Sequence, residues 1–140
     1  MRRLATAAVL LLALTGPLAA QTASAPPQSV LFGAWVGGIV PPPVTLGARE
    51  CLAQPIVIFT RDSVLSASML STAYAQRAID SVKATPTGFE IRLVPTQGPA
   101  DAGFGCANPN VLPVKQRGDN EITFPGCTEF PFPLIRCATR

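Results

Sequence analysis

Short apolar runs separated by proline and glycine recur along the chain from about residue 30 onward. The most regular run is Gly88–Val94, in which Phe89, Ile91 and Leu93 alternate with charged residues. Period-two alternation is typical of a β-strand with one buried face, because successive side chains of a strand point to opposite sides. Gly88–Val94 is therefore predicted to be a strand, with its three apolar side chains inward.

Six other segments are rich in β-branched or aromatic residues and are bounded by turn-forming residues, which also predicts strands. They are Leu31–Gly37, Ile56–Thr60, Val64–Leu70, Val111–Gln116, Glu121–Phe124 and Phe130–Arg136. In the third of them, the looser alternation predicts that Leu65, Ala67 and Met69 share one face.

The last of these strands contains two prolines. Pro131 and Pro133 lack the backbone N–H that a strand donates to its neighbour, so Phe130–Arg136 is predicted to be an edge strand or a polyproline-like run laid against the sheet. The apolar residues at alternate positions are predicted to share the inner face: Phe130, Phe132 and Leu134.

The segment Ser71–Lys83 fits two structures. Tyr74, Ala78 and Val82 recur at helical spacing, so we expect a short helix around Thr72–Arg77 that runs into a strand. Residues 79–85 equally fit the first strand of a hairpin that turns at residues 86–88. The sequence leaves the choice between helix and strand open.

Together these elements predict a mostly β protein. Seven or eight short strands with one or two short helices are typical of a small antiparallel barrel or sandwich. One of the helices is expected to begin near Thr45 and to end by Pro55. We expect residues 30–140 to form a single β-rich domain.

The N-terminus has the features of a secretory signal peptide. Arg2 and Arg3 precede an apolar run through Leu14, and Leu18-Ala19-Ala20 provides a small-residue cleavage site. Residues 1–20 are therefore predicted to be removed, and residues 21–29, which are small, polar and proline-containing, to form a flexible leader. The apolar run is shorter than the roughly 20 residues that span a membrane. The mature protein is thus expected to be periplasmic or secreted, with no membrane span.

Removal of the signal peptide leaves the chain nearly neutral. Of eleven Lys and Arg, two leave with it, so nine basic residues remain against eight acidic ones. This balance does not indicate binding to nucleic acid.

Four cysteines suit an exported chain with two disulfides. They are Cys51, Cys106, Cys127 and Cys137. Of the three ways to pair them, we expect Cys127 with Cys137 and Cys51 with Cys106. No two cysteines are close in sequence and the chain has no histidine, so zinc-like spacing is absent.

The same composition argues against catalysis. Without histidine, the Ser–His and Cys–His arrangements of nucleophilic enzymes are excluded. The eight acidic residues lie beside predicted turns or on polar strand faces, and no two are placed as a facing pair across a cleft. We therefore expect no enzyme activity, with no catalytic, cofactor-binding or metal-binding residues and no cofactor.

The tripeptide Arg117-Gly118-Asp119 matches a well-known adhesion signal but lies between two predicted strands. Glycine readily adopts positive φ, and Asp and Asn hydrogen-bond to their own backbone in turns. We therefore interpret the tripeptide as a hairpin turn.

The residues Gly33-Ala34-Trp35, in the first predicted strand, resemble the G-x-W motif of lipocalin-like barrels, including secreted bacterial metalloprotease inhibitors. The resemblance implies a small eight-stranded barrel with Trp35 packed across one end. Four aromatic residues are expected to form either the core or a small apolar pocket: Trp35, Phe59, Phe89 and Phe124. The predicted function is a non-catalytic binding or structural module for a small apolar ligand or a protein. The alternative is a protease inhibitor that inserts the N-terminal leader into a protease cleft.

Overall fold

The computed structural model describes residues 24–47, 49, 51, 56–68, 71–97 and 103–137. Eight strands form one closed barrel. In chain order they are β1 (Gly33–Gly37), β2 (Val57–Phe59), β3 (Ser63–Ser68), β4 (Ser71–Thr85), β5 (Gly88–Leu93), β6 (Val111–Gln116), β7 (Glu121–Thr123) and β8 (Leu134–Arg136). The prediction of a mostly β protein is confirmed, and of the two predicted architectures, barrel and sandwich, the structure is a barrel.

Each strand pairs antiparallel with the next along the chain, and β8 pairs with β1 to close the barrel. In the closing pair, Trp35 lies opposite Arg136 and Gly37 lies opposite Leu134. Closure removes the exposed strand edges that an open sheet of this size would have to protect.

Helix is confined to short pieces in the described residues. Pro27–Leu31 form a 3-10 helix directly before β1, and Arg49 and Cys51 are helical in the connection between β1 and β2. The 3-10 helix begins inside the segment that the sequence assigns to the leader, and its Gln28 and Leu31 are buried.

The expected helix around Thr72–Arg77 is wrong, because the whole of Ser71–Thr85 is β4. Its first half pairs with β3 and its second half with β5. Hydrogen bonds to a neighbouring strand along its whole length outweigh a weak local helix pattern, because propensity alone is a small energy. The pairing shifts between Ile79 and Ser81, which marks a β-bulge.

The core follows the predicted alternation in β5 and β7. Phe89, Ile91 and Leu93 are all buried, as are Ile122 and the following Phe124.

The prediction for β3 is wrong, because the face that carries Leu65 and Ala67 is not the buried face. Val64 and Ser66 are buried, whereas Leu65 and Ala67 are half-buried; Met69 lies outside the described residues.

The interpretation of Phe130–Arg136 as an edge strand is also wrong. β8 is limited to Leu134–Arg136 and pairs on both sides, with β7 and with β1. Both prolines precede the paired residues, so neither removes a hydrogen bond from the barrel. Phe130 and Leu134 are buried as predicted, but Phe132 is 38% exposed because it lies in the irregular segment before the strand.

Two disulfides are present, and their pairing differs from the expected one. Cys51 is bonded to Cys137, and Cys106 to Cys127. Cys106 and Cys127 lie directly opposite each other in an isolated β-bridge. Cys137 follows β8 at the other end of that strand, where its N–H donates to the Ala34 carbonyl, so a bond to Cys127 would have to span the length of the strand. No described cysteine is free.

Candidate functional site

One end of the barrel is covered by the 3-10 helix. The indole Nε1 of Trp35 donates a hydrogen bond of 2.8 Å to the Leu31 carbonyl, and both residues are fully buried. The guanidinium of Arg136 lies over the Trp35 ring and donates to the carbonyls of Val30, Phe32 (3.0 Å) and Asp119 (3.1 Å). These contacts join the helix to β1, β8 and the β6–β7 turn. We call this the helix-covered end.

The opposite end is closed by phenylalanines. Phe104, which precedes β6, contacts Phe124 and Phe130 from the β7–β8 connection, with ring centroids 5.6 and 5.4 Å away. All three are at most 3% exposed. The Cys106–Cys127 disulfide and a hydrogen bond from the Thr128 N–H to the Gly105 carbonyl join the two segments. We call this the aromatic end.

The four aromatic residues that the sequence singles out all belong to the hydrophobic core cluster. They are Trp35, Phe59, Phe89 and Phe124. Phe59 and Phe124 are in edge-to-face contact, with centroids 6.3 Å apart. Trp35 lies at the helix-covered end. Each of these side chains is at least nine-tenths buried, so the structure places them in the core.

Open clefts are found on the described surface at both ends of the barrel. A cleft of about 270 Å³ is bordered by the residues of the β7–β8 connection, including Phe124 and Cys127. A second cleft, of about 240 Å³, lies between the 3-10 helix, the β2–β3 turn and the bulge of β4, and Gln28, Asp62 and Asp80 are among its lining residues. The Oε1 atom of Gln28 is buried there without a hydrogen-bond partner.

Arg77 is a buried charged residue that the sequence reasoning did not identify. It is 3% exposed and donates to the carbonyls of Val94 and Pro109 and to the side chain of Asn110. These acceptors flank the long connection between β5 and β6. Once β4 is read as a strand, Arg77 falls on the same face as Ile79, and this pattern could have revealed it.

The sequence predicts no catalytic or metal-binding residues. Among the residues described by the structure, no group of three or more His, Cys, Asp or Glu side chains comes together. Among the titratable groups that the structure describes, partial desolvation raises the pKa of Tyr74 above its ordinary value. No helix of the described part is long and apolar enough to cross a membrane.

Arg117, Gly118 and Asp119 connect β6 to β7 and are exposed. Gly118 has a φ of +74°, as expected for a turn glycine, and the Arg117 N–H donates to the Glu121 carbonyl across the hairpin. The interpretation of the tripeptide as a hairpin turn is confirmed. The contact that Asp119 makes with Arg136 uses its main-chain carbonyl, which any residue supplies.

Comparison with known proteins finds no similar protein. No family model matches the chain, and no significant match exists among curated proteins or solved structures.

Proposed function

We propose that the protein is an exported, non-catalytic binding module that contacts a protein partner through its outer surface. Export is supported by the signal-like N-terminus and by two disulfides, which are typical of chains that fold in an oxidising compartment. The absence of histidine from the chain, which removes the commonest general base, supports a non-catalytic role.

The observation that carries this proposal is the occupancy of the barrel interior. The core cluster draws apolar side chains from seven of the eight strands, from the 3-10 helix and from the segments that close the aromatic end. In a barrel of about eight strands, the interior is just wide enough for the protein's own side chains to fill it. Binding at the exterior is therefore favoured over carriage of an apolar ligand inside.

The exterior offers apolar contacts at the aromatic end. Val40 and Val44 follow β1, and Phe132 precedes β8; their exposures are 44%, 103% and 38%. The Phe132 N–H donates to the Gly38 carbonyl, which holds the two segments side by side. Exposed apolar side chains on neighbouring segments, such as those that carry Val40 and Phe132, are typical of protein-contacting surfaces.

The resemblance to lipocalin-like G-x-W barrels is retained as part of the proposal. It is supported by an eight-stranded closed barrel and by the position of Trp35, buried at one end beneath a 3-10 helix. This family likeness supports a binding role rather than catalysis.

The alternative, a protease inhibitor that uses its leader, is favoured by one observation. The 3-10 helix is fixed to the barrel by the hydrogen bond between Trp35 and the Leu31 carbonyl, and Ser24 and Ala25, which precede the helix, are exposed. Residues 27–31 themselves are part of the folded domain, so the alternative requires that the residues before them enter the protease cleft.

Site-specific photo-crosslinking in the native compartment tests the main proposal. A photoreactive residue at Val44 should give a protein adduct, whereas one at Lys83, an exposed polar position on β4, should give none. Equal adducts at both positions, or none at either, would contradict a defined surface near the aromatic end.

A truncation tests the alternative. Removal of residues 21–25 leaves the 3-10 helix intact, so the shortened protein should keep its melting temperature. If the alternative holds, the full-length mature protein inhibits a metalloprotease from a test panel and the truncated one does not. Loss of the Val44 adduct in the truncated protein would also favour the leader as the binding element.

A further inference from the structure

The cleft at the helix-covered end is lined by oxygen-bearing side chains from three separate segments. They are Gln28 of the 3-10 helix, Asp62 of the β2–β3 turn and Asp80 of β4. The Gln28 Nε2 donates to the Arg61 carbonyl at 3.4 Å, and the Ile79 N–H donates to the Asp62 carbonyl at 2.8 Å. Gln28 is thereby held beside the residue before Asp62, and Asp62 beside the residue before Asp80.

The side-chain amide of Gln28 is satisfied at one end only. Gln28 is 6% exposed, and its Oε1 is buried without a hydrogen-bond partner. The bond from Nε2 to the Arg61 carbonyl fixes the orientation of the amide, because a flipped amide would bring two carbonyl oxygens together. Buried side-chain acceptors are rarely left unsatisfied in native proteins. The Oε1 atom therefore indicates a ligand that is bound from the cleft.

Asp80 lies at the β-bulge of β4. The pairing with β5 passes from Ile79 to Ser81 and leaves Asp80 without a partner residue on that strand. Bulges redirect side chains and are frequent beside binding sites. The Asp80 Oδ2 accepts a hydrogen bond of 3.2 Å from the Ser81 hydroxyl, which helps to hold the carboxylate in place.

The charges that line the cleft favour a cation. Asp62 and Asp80 contribute two negative charges, Arg61 contributes one positive charge, and the other lining residues are uncharged. The ion pairs between described residues do not join Arg61 to either carboxylate. Arg61 is exposed, so solvent screens its charge and its long side chain can extend away from the cleft.

We infer that Gln28, Asp62 and Asp80 form a binding site for Ca²⁺. Carboxylate and amide oxygens are the ligands that Ca²⁺ prefers, whereas the imidazole and thiolate ligands of transition metals are not among the described lining residues. Ca²⁺ takes about six to eight oxygens, so water completes the coordination. The cleft of about 240 Å³ is open to solvent and has room for that water.

The burial of the Gln28 Oε1 favours a metal ion over water or an organic ammonium group. A Ca²⁺–oxygen contact of about 2.3–2.6 Å is shorter than a hydrogen bond to water or nitrogen, at about 2.7–3.2 Å. A small ion therefore reaches an oxygen that is closed to a larger donor. Mg²⁺ demands nearly ideal octahedral geometry and retains its waters, so donors from three independent segments suit it less well.

This inference goes beyond the proposed function and does not depend on it, because the cleft lies at the opposite end of the barrel from Val44 and Phe132. It departs from the sequence-based expectation of no metal-binding residues. That expectation considered His, Cys and closely spaced acidic residues, whereas Gln28, Asp62 and Asp80 are far apart in the sequence and meet only in the folded barrel.

The direct test is an NMR titration of the folded, oxidised protein that begins at Gln21. The side-chain NH₂ resonance of Gln28 reports on the Oε1 atom, because both belong to one amide. With CaCl₂ we expect a saturable shift of this resonance and a Kd of about 0.1–1 mM, as for extracellular Ca²⁺ modules. MgCl₂ should bind more weakly, and methylammonium chloride or NaCl at matched ionic strength should give no saturable shift.

Three variants test the assignment of the donors. Asp80→Asn removes a negative ligand and should weaken Ca²⁺ affinity by about tenfold or more. Asp119→Asn makes the same change at an exposed acidic residue of the β6–β7 turn and is the matched control, with no change expected. Arg61→Gln removes a repelling charge and should tighten Ca²⁺ binding by about two- to fivefold. All three positions are exposed, and melting temperatures confirm that the variants fold.

The inference is overturned if CaCl₂ gives no saturable shift at about ten times the expected Kd, or if the Gln28 side-chain resonance stays fixed while others move. An equal loss of affinity in Asp80→Asn and Asp119→Asn would show diffuse attraction to surface carboxylates instead of a site. Binding of Mg²⁺ or methylammonium as tight as that of Ca²⁺ would reject Ca²⁺ as the ligand.

Discussion

The guanidinium carbon of Arg136 lies 4.4 Å from the centroid of the Trp35 ring, and the two residues face each other across the β1–β8 pair that closes the barrel. Trp35 holds the 3-10 helix through the Leu31 carbonyl, and Arg136 holds the same region through the carbonyls of Val30 and Phe32. The closing strand pair and the N-terminal helix are therefore stabilised by one shared contact.

Replacement of Arg136 should consequently destabilise the whole fold. Arg136→Ala removes the cation–π contact and several charge-assisted hydrogen bonds, and we expect a loss of about 2 kcal/mol in the free energy of unfolding. Arg136→Lys keeps the charge but not the planar fork, so an intermediate loss is expected. Urea denaturation measures both.

The control for this series is Arg92→Ala, which removes an exposed arginine whose ion pair with Glu90 is at the surface. Exposed pairs contribute little, so its effect should stay below about 0.5 kcal/mol. Equal effects at Arg92 and Arg136 would mean that the contact with Trp35 adds no stability.

In the β6–β7 turn, we expect the backbone conformation of Gly118, rather than side-chain contacts, to determine the effect of substitutions. Gly118 has a φ of +74°, and a Cβ added there would meet no atom within 4 Å. Gly118→Val should therefore cost roughly 1–2 kcal/mol or more from φ alone, whereas Gly118→Asn, which tolerates positive φ, should cost less. Asp119→Glu should change stability by well under about 1 kcal/mol, because its side chain is exposed. Thermal denaturation that ranked Asp119→Glu above Gly118→Val would contradict a purely structural turn.

Gly88 provides a steric counterpart, at the start of β5. A Cβ at this position would collide with the main-chain carbonyl oxygen of Val114 on β6. Because backbone atoms of a paired strand cannot move aside cheaply, Gly88→Ala should destabilise the protein more than Gly118→Ala, by about 1–3 kcal/mol. The difference is measured by chemical denaturation of the two alanine variants side by side.

The disulfides should differ in their contribution to stability. On the chain-entropy model, a bond that closes a longer loop stabilises more, so Cys51–Cys137, with 86 residues of separation, should exceed Cys106–Cys127, with 21. The expected values are about 4–5 and about 3 kcal/mol. Paired Cys→Ser variants test the order, and peptide mapping of the native protein should find only these two links. A Cys127–Cys137 peptide would contradict the fold near the aromatic end.

The strands that the sequence predicts well are those whose two faces differ chemically. In β5, Phe89, Ile91 and Leu93 face the core, and their charged neighbours Glu90 and Arg92 face outward, so the period-two pattern is read directly. The Gly118 turn is similarly local, because a glycine next to Asp and Asn carries its own turn chemistry.

The features that the sequence misses depend on distant parts of the chain. β4 is held by β3 along one half and β5 along the other, and neither partner is visible in the local pattern of Ser71–Thr85. The disulfide pairing follows from which strand ends meet after closure. Arg77 looks like an exposed polar residue until its strand and face are known.

The central claim is that the barrel interior is filled by the protein's own side chains. Trp35 is the only tryptophan in the chain and is fully buried, so a contact quencher such as a brominated alkane reaches its ring only by entering the barrel. Titration of the native, oxidised protein with such a quencher should leave the tryptophan fluorescence unchanged. Saturable, equimolar quenching of Trp35 would show a hollow barrel and would contradict the account.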